Sequence, residues 1–120
     1  MRQGHVRDRF ARLMLALPGR EGAFNVEFVV DTGFDGELAL PPSVLNALEA
    51  AYAGDRPLLL ADGSVRLRPF YRILLEWDEE ERGVEVIALD GNPLLGVELL
   101  EGNLFQAEMT DGGEVSVESL

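Results

Sequence analysis

Closely spaced turn-forming residues are the feature that most limits how this chain can fold. Glycine, proline and aspartate interrupt it at Pro18-Gly19, Asp31-Thr32-Gly33, Pro41-Pro42, Asp62-Gly63, Asp90-Gly91-Asn92-Pro93 and Asp111-Gly112-Gly113. The runs between these breaks are about 6–12 residues long, which suits β-strands and leaves no room for regularly alternating strands and helices. The spacing therefore predicts an all-β protein.

The predicted elements follow from these runs. Strands are expected at Phe10–Leu17, Ala23–Val30, Pro57–Ala61, Ser64–Trp77, Val84–Leu89, Asn103–Thr110 and Glu114–Glu118. Asp62-Gly63 predicts a hairpin, because glycine tolerates the positive φ of a tight primed turn. One helix is predicted over Pro42–Ala51, with proline in its first turn, and a shorter one over Val97–Leu100, closed by Gly102. The acidic run Asp78–Glu81 is interpreted as a solvated hairpin tip.

Composition narrows the class of protein. A chain of 120 residues fits one compact domain, taken here as residues 1–120, and it contains no cysteine, so disulfides and thiolate metal sites are excluded. The net charge of −12 disfavours nucleic acid and anionic membranes as partners, because both are bound by lysine and arginine. No apolar run is long enough to span a bilayer, and the first residues lack the apolar stretch of a secretory signal. These features predict a cytoplasmic protein.

The segment with the strongest chemical signal is Phe28–Pro41. An apolar strand leads directly into Asp31-Thr32-Gly33, followed by Phe34 and then by Leu38-Ala39-Leu40-Pro41. The strand fixes the aspartate, and the glycine lets the loop turn sharply and lets backbone N–H groups approach the carboxylate. Two such aspartates sharing one proton can activate a water and polarise a carbonyl. A plain surface turn is the alternative interpretation of the tripeptide alone.

This segment resembles the active-site motif of retropepsin-like, single-domain aspartic proteases of clan AA, including small bacterial members. The resemblance extends along most of the chain, because Leu60–Ser64 is similar to a flap tip and Leu94-Leu95-Gly96 to the family's apolar-apolar-glycine motif. It implies a partly open β-barrel with one or two short helices. It further implies a homodimer in which each subunit contributes one catalytic aspartate.

The resemblance assigns roles to particular residues. Asp31 would be the catalytic carboxylate, Thr32 would lock the two catalytic loops together, and Gly33 would shape the loop. Substrate would contact Phe34 and the flap-tip residues Ala61, Asp62, Gly63 and Ser64. Phe34 replaces the family's usual small residue, and Val97-Glu98 replaces the arginine-containing pair of retroviral members, so this dimer needs other contacts. The strand-like termini, including Glu114–Val117, are expected to interleave with those of the partner.

The sequence lacks the residues that other types of catalytic or metal-binding site require. His5 is the single histidine, so a histidine-based triad or metal site has no partners, and no phosphate loop or EF-hand pattern occurs. No cofactor and no metal are expected. Asp35 adds an acid close to the motif and is otherwise interpreted as a solvated turn residue.

The sequence therefore predicts a homodimeric aspartic endopeptidase acting on a peptide or protein substrate. Two alternatives remain open. The same fold can serve as a non-proteolytic binding or regulatory module, with Phe34 and Leu59 filling the cleft. Alternatively, the acidic surface can bind a basic partner protein through interactions that salt would screen.

Overall fold

The computed structural model describes residues 1–120 and contains ten strands and two short helices. In chain order these are β1 (Arg2–Arg7), β2 (Phe10–Leu17), β3 (Phe24–Val30), β4 (Leu38–Leu40), α1 (Pro42–Leu45), β5 (Ala51–Leu59), β6 (Val65–Trp77), β7 (Glu80–Ala88), β8 (Leu94–Leu95), α2 (Val97–Leu100), β9 (Asn103–Ala107) and β10 (Glu114–Ser119). The all-β prediction is confirmed. Neither helix has the length and apolar character needed to cross a membrane.

All ten strands belong to one sheet, in the order β5-β6-β7-β4-β8-β3-β2-β1-β10-β9. The sheet does not close on itself, so β5 and β9 are its two edges. Most neighbours are antiparallel, but β8 runs parallel to β3 and β4 runs parallel to β7. The order places the short strand β8 between β3 and β4, where the chain passes through Asp31.

One apolar cluster of 22 buried residues joins strands from both ends of this order. Trp77 on β6, Phe28 on β3 and Val117 on β10 are all members. Strands so far apart in the sheet can share a core only if the sheet curls over itself, as the right-handed twist of β-sheets favours. The structure therefore shows one open, curled sheet with two free edges.

Several element boundaries differ from the prediction. The helix predicted over Pro42–Ala51 stops at Leu45, because the chain then pairs with the turn at Gly19 and buries Leu48 completely. Burial of Leu48 outweighs the helical pattern, and β5 consequently begins at Ala51 rather than at Pro57. The helix predicted over Val97–Leu100 is confirmed.

Three strands were not predicted. β1 is largely polar and lies between β2 and β10, whereas β4 and β8 have only three and two residues. Within the single chain, the two terminal strands pair with each other. β10 already pairs with β1 on one side and with β9 on the other, so it has no free edge for a partner's strand.

Candidate active site

Asp31 is held where three strands meet. It follows the last residue of β3, and its backbone N–H donates to the carbonyl of Leu95 in β8 at 2.9 Å. β8 continues this contact on its other side by pairing with Leu38 and Ala39 of β4. Because β3 and β4 flank the same short strand, the loop of residues 31–37 begins and ends on neighbouring positions of one rigid sheet.

The loop holds the Asp31 carboxylate in place with its own backbone. The N–H of Gly33 donates to Asp31 Oδ1 at 2.9 Å, and the N–H of Phe34 donates to the Asp31 carbonyl at 3.1 Å. Aspartate commonly bonds in this way to the backbone two residues ahead of it. Asp31 is half-buried, whereas Thr32 and Gly33 are exposed. The carboxylate is thus fixed in direction and open to a second molecule.

Phe34 and Gly96 pack the loop against the start of α2. The N–H of Val97 donates to the Phe34 carbonyl at 3.0 Å, and a Cβ added to Gly96 would lie 2.6 Å from that same oxygen. The aromatic ring of Phe34 packs beside Gly36 and Gly96, and the residue is only 9% exposed. Phe34 therefore supports the loop from below and does not face the open side next to Asp31.

Glu37 anchors the far end of the loop and was not predicted. It is the one buried charged residue of the protein, and its carboxylate accepts hydrogen bonds from the Arg82 guanidinium and from the backbone N–H of Glu85. Its carbonyl accepts the N–H of Gly96 at 2.9 Å. The side chain therefore fastens the loop to β7, while the backbone fastens it to the segment before α2.

An open cleft of about 370 Å³ lies beside Asp31. Its walls combine the exposed ring of Phe10 and the apolar side chains of Val29 and Leu94 with polar groups from Thr32, Asp90 and Asn92. Apolar walls with a few polar groups are typical of ligand-binding sites. The sequence indicates only a turn at Asp90 and Asn92, because their proximity to Asp31 depends on the β3–β8 pairing.

The hairpin predicted at Asp62-Gly63 is confirmed, with a different turn. The Gly63 N–H donates to the Leu60 carbonyl at 2.9 Å, and Gly63 has φ +86° while Asp62 does not have a positive φ. This is a three-residue loop in which an ordinary turn is followed by a left-handed glycine, rather than a two-residue primed turn.

The tip of this hairpin is ordered by Asp62. Its Oδ1 accepts the backbone N–H of Ser64 at 2.8 Å and the Ser64 hydroxyl at 2.6 Å. The hydroxyl bond is the main reason that the pKa of Asp62 is lowered, with the backbone bond adding to it. None of the tip residues Ala61–Ser64 lines the cleft beside Asp31.

The hairpin projects beyond the rest of the sheet. β6 pairs with β7 only from Phe70 onward, so Val65–Pro69 pair with β5 alone. Residues with odd numbers on β6 face the core at Ile73 and beyond, and by the two-residue period of a strand the same face continues to Leu67 and Val65. Beyond the core this apolar face is uncovered, and Leu59 on β5 is 72% exposed.

The predicted residues thus fall into three places. Asp31, Thr32 and Gly33 lie together at the open end of β3, Phe34 lies beneath them, and Ala61–Ser64 form the tip of the projecting hairpin. Asp35 lies in a separate depression with Glu98 and Glu101 of the α2 region. It does not line the cleft that contains Asp31. No group of acidic or histidine side chains in the structure has the arrangement of a metal site.

Comparison of the chain with protein-family models, curated proteins and solved structures finds no match.

Proposed function

We propose that this protein is a homodimeric aspartic endopeptidase in which Asp31 of each subunit supplies one catalytic carboxylate. The observation that carries the proposal is the position of Asp31. Its carboxylate stands at the end of a buried strand, is oriented by the N–H of Gly33, and borders an open cleft. The Gly33 bond also occurs in ordinary turns, but a plain surface turn needs neither the buried strand before it nor the open cleft beside it.

The second carboxylate must come from a second chain. Asp-Thr-Gly occurs once in the sequence, and the acid nearest to it along the chain, Asp35, lines a different depression. A two-fold axis beside the exposed Thr32 and Gly33 would bring two copies of the same loop together, because a two-fold interface joins one surface patch to itself.

The proposed reaction uses one ionised and one protonated Asp31. The ionised carboxylate takes a proton from a water molecule, whose oxygen attacks the peptide carbonyl carbon, while the protonated carboxyl donates its proton to the carbonyl oxygen. In the resulting tetrahedral intermediate, the carboxyl that took the water's proton donates it to the amine nitrogen as the C–N bond breaks, and the other carboxylate takes a proton from a hydroxyl of the intermediate, which restores the starting pair. The water and the peptide are converted to one carboxylic acid and one amine.

The projecting hairpin and the cleft suit an extended substrate. The uncovered apolar face that contains Leu59, Val65 and Leu67 continues the core-facing side of the sheet and offers apolar contacts to the side chains of a bound peptide. A peptide bound in extended form offers alternate side chains to separate pockets. The cleft lined by Phe10, Leu94 and Asn92 would accept one of these side chains.

The alternative of a non-proteolytic module requires a filled cleft. Phe34 and Leu59 were the residues expected to fill it, but Phe34 packs beneath the loop and Leu59 is largely exposed. The open cleft favours the peptidase over the module.

The test is hydrolysis of a mixed peptide library, followed by mass spectrometry between about pH 3 and 8, a range that includes the upper titration step of two carboxylates that share one proton. We expect cleavage by the wild-type protein and none by Asp31→Asn, which keeps the size of the side chain and removes the base. Asp35→Asn is the matched control, because it makes the same change four residues away in the other depression. Equal cleavage by wild type and Asp31→Asn, or none by either, would refute the proposal.

A further inference from the structure

The projecting hairpin has an outer face that the proposed reaction does not use. Residues with even numbers on β6 lie on the side of the sheet opposite the core, and the residues of β5 and β7 that pair with them share this side. This side carries four of the ten arginines of a chain that contains no lysine. We call it the arginine face, and its arginines are Arg56, Arg66, Arg68 and Arg72.

The arginine face has an excess of positive charge in a strongly acidic protein. Its close acid is Glu85 on β7, and one oxygen of that carboxylate accepts from both Arg56 at 2.6 Å and Arg72 at 3.4 Å. Arg68 donates to a backbone carbonyl of β7, whereas Arg66 takes part in none of the ion pairs of the chain. Four guanidinium groups therefore share one carboxylate, although the net charge of the whole chain is −12.

Two of these arginines lie directly opposite each other. Arg56 on β5 pairs with Arg68 on β6, and Arg66 lies diagonally from Arg56 at the next position on the same face. Like charges opposed across paired strands are destabilising. An anion bound between the guanidinium groups would remove this repulsion, and a carboxylate suits them because arginine can bind it through two parallel hydrogen bonds.

Apolar side chains lie between the arginines. Leu58 pairs with Arg66, and Leu74 is 57% exposed. The Arg56 guanidinium lies 4.4 Å from the ring centre of Phe70. Residues on one face of a strand are about 7 Å apart, and an extended peptide presents alternate side chains at the same spacing. The face therefore matches an extended peptide with acidic side chains at alternate positions.

We propose that the arginine face binds an acidic, extended segment of a partner protein, whose alternate carboxylates contact Arg66, Arg68 and Arg56. Charge complementarity identifies the occupant, because the arginines need carboxylates and the apolar side chains between them suit a peptide. A nucleic acid carries phosphates along its whole length, and the acidic remainder of this chain would repel them. The uncovered apolar face of the same hairpin stays free, and no part of the inference depends on the proposed function.

Isothermal titration calorimetry with a synthetic peptide tests the proposal. The probe has about twelve residues in which glutamate alternates with serine, enough to span the hairpin at about 3.3 Å per residue. The protein carries Asp31→Asn throughout, so that the probe cannot be hydrolysed. We expect binding that weakens as salt screens the charges. A second peptide of the same composition, with glutamates in adjacent pairs, directs half of them away from the face and should bind about threefold more weakly.

Arg66→Gln/Arg68→Gln is the test variant, and Arg9→Gln/Arg20→Gln is its control, because both remove two positive charges and the control residues lie outside the arginine face. We expect the test variant to bind the alternating peptide about tenfold more weakly and the control variant to bind it within about twofold of the parent protein. Arg66→Gln alone should weaken binding about threefold at an unchanged unfolding temperature, because this exposed side chain has no ion pair to lose.

The expected losses in the two Arg66 variants, with little loss in the control, would support the proposal. No binding at about 1 mM peptide, equal affinity for the two peptides, or equal losses in the test and control variants would overturn it. Tighter binding of a short single-stranded oligonucleotide than of the alternating peptide would also overturn it, because the face would then be a nucleic-acid surface. Since no measurement uses cleavage, failure here would leave the proposed peptidase untouched.

Discussion

Replacing Gly96 with alanine should damage both stability and the proposed activity, because Gly96 is where the Asp31 loop and the start of α2 approach most closely. An added Cβ would lie 2.6 Å from the Phe34 carbonyl oxygen and closer still to that of Gly36. Both oxygens belong to the backbone, so no side-chain rotation can relieve the contact. Gly96 does not have a positive φ, so the effect measures crowding and not backbone strain.

The magnitude follows from these distances. Carbon and oxygen atoms in close backbone contacts lie about 3.3 Å apart, so the gap to Phe34 must widen by about 0.7 Å, and the gap to Gly36 by more. Overpacking of this kind costs about 1–3 kcal/mol, to which weakening of the Val97 N–H bond to Phe34 would add. A displacement near 1 Å of catalytic groups lowers rates on the order of 100-fold.

Thermal unfolding and peptide hydrolysis test this prediction, with Gly83→Ala as the control. Gly83 lies in β7, does not have a positive φ, and the nearest atom to an added Cβ is 3.9 Å away at the flexible end of Arg72. Its replacement should leave stability unchanged or raise it slightly, since alanine costs less conformational entropy than glycine in a strand. If Gly96→Ala unfolds at the same temperature as Gly83→Ala, the close approach does not hold the loop.

Three further predictions concern the loop and the hairpin. Asp31→Asn should lower the cleavage rate by at least about 100-fold, as loss of a general base typically does, while the unfolding temperature stays near that of the wild type. Glu37→Gln should destabilise the fold by roughly 1–3 kcal/mol, because it weakens a charge-assisted hydrogen bond from Arg82 at a buried site. Denaturant unfolding measures this loss, with Arg82→Gln as the comparison. An unchanged unfolding midpoint in Glu37→Gln would contradict the prediction. The hydrogen bonds that lower the pKa of Asp62 should stabilise the hairpin tip fully at pH values above 3.8, the ordinary pKa of aspartate. This stabilisation should be lost as the pH falls through the lowered pKa of Asp62. The Ser64 amide signal in NMR spectra should therefore titrate in the wild type and stay constant in Asp62→Asn.

The Asp31 loop and the projecting hairpin were predictable because their signals are local. Asp31-Thr32-Gly33 is a turn at the end of an apolar strand, and Asp62-Gly63 lies between two strand-like runs, so a few adjacent residues suffice to identify each. The type of turn at Gly63 was not predictable, since the same dipeptide fits both two-residue and three-residue loops.

The rest of the site depends on pairing between distant segments. β4 and β8 are too short to show a strand period, yet they determine which groups lie beside Asp31. Asp90 and Asn92 reach the cleft only because β8 pairs with β3. Burial of Glu37 likewise depends on Arg82, 45 residues away, and no local pattern distinguishes it from the many exposed acids.

The error in the helix expected over Pro42–Ala51 also comes from packing between distant segments. Its apolar positions have helical spacing, but burial of Leu48 against the turn at Gly19 favours an irregular path after Leu45. Local propensity is a weak prior that tertiary packing overrides.

Mixing subunits tests the central claim most directly. Wild-type protein is unfolded and refolded together with increasing proportions of Asp31→Asn, at constant total concentration, and the peptide cleavage rate is measured. If each site needs Asp31 from both subunits, activity should fall as the square of the wild-type fraction, to about one quarter at an equal mixture, because only dimers of two wild-type chains are active. A linear fall, to about one half, would mean that each subunit acts with its own Asp31 alone and would contradict the paired-carboxylate site.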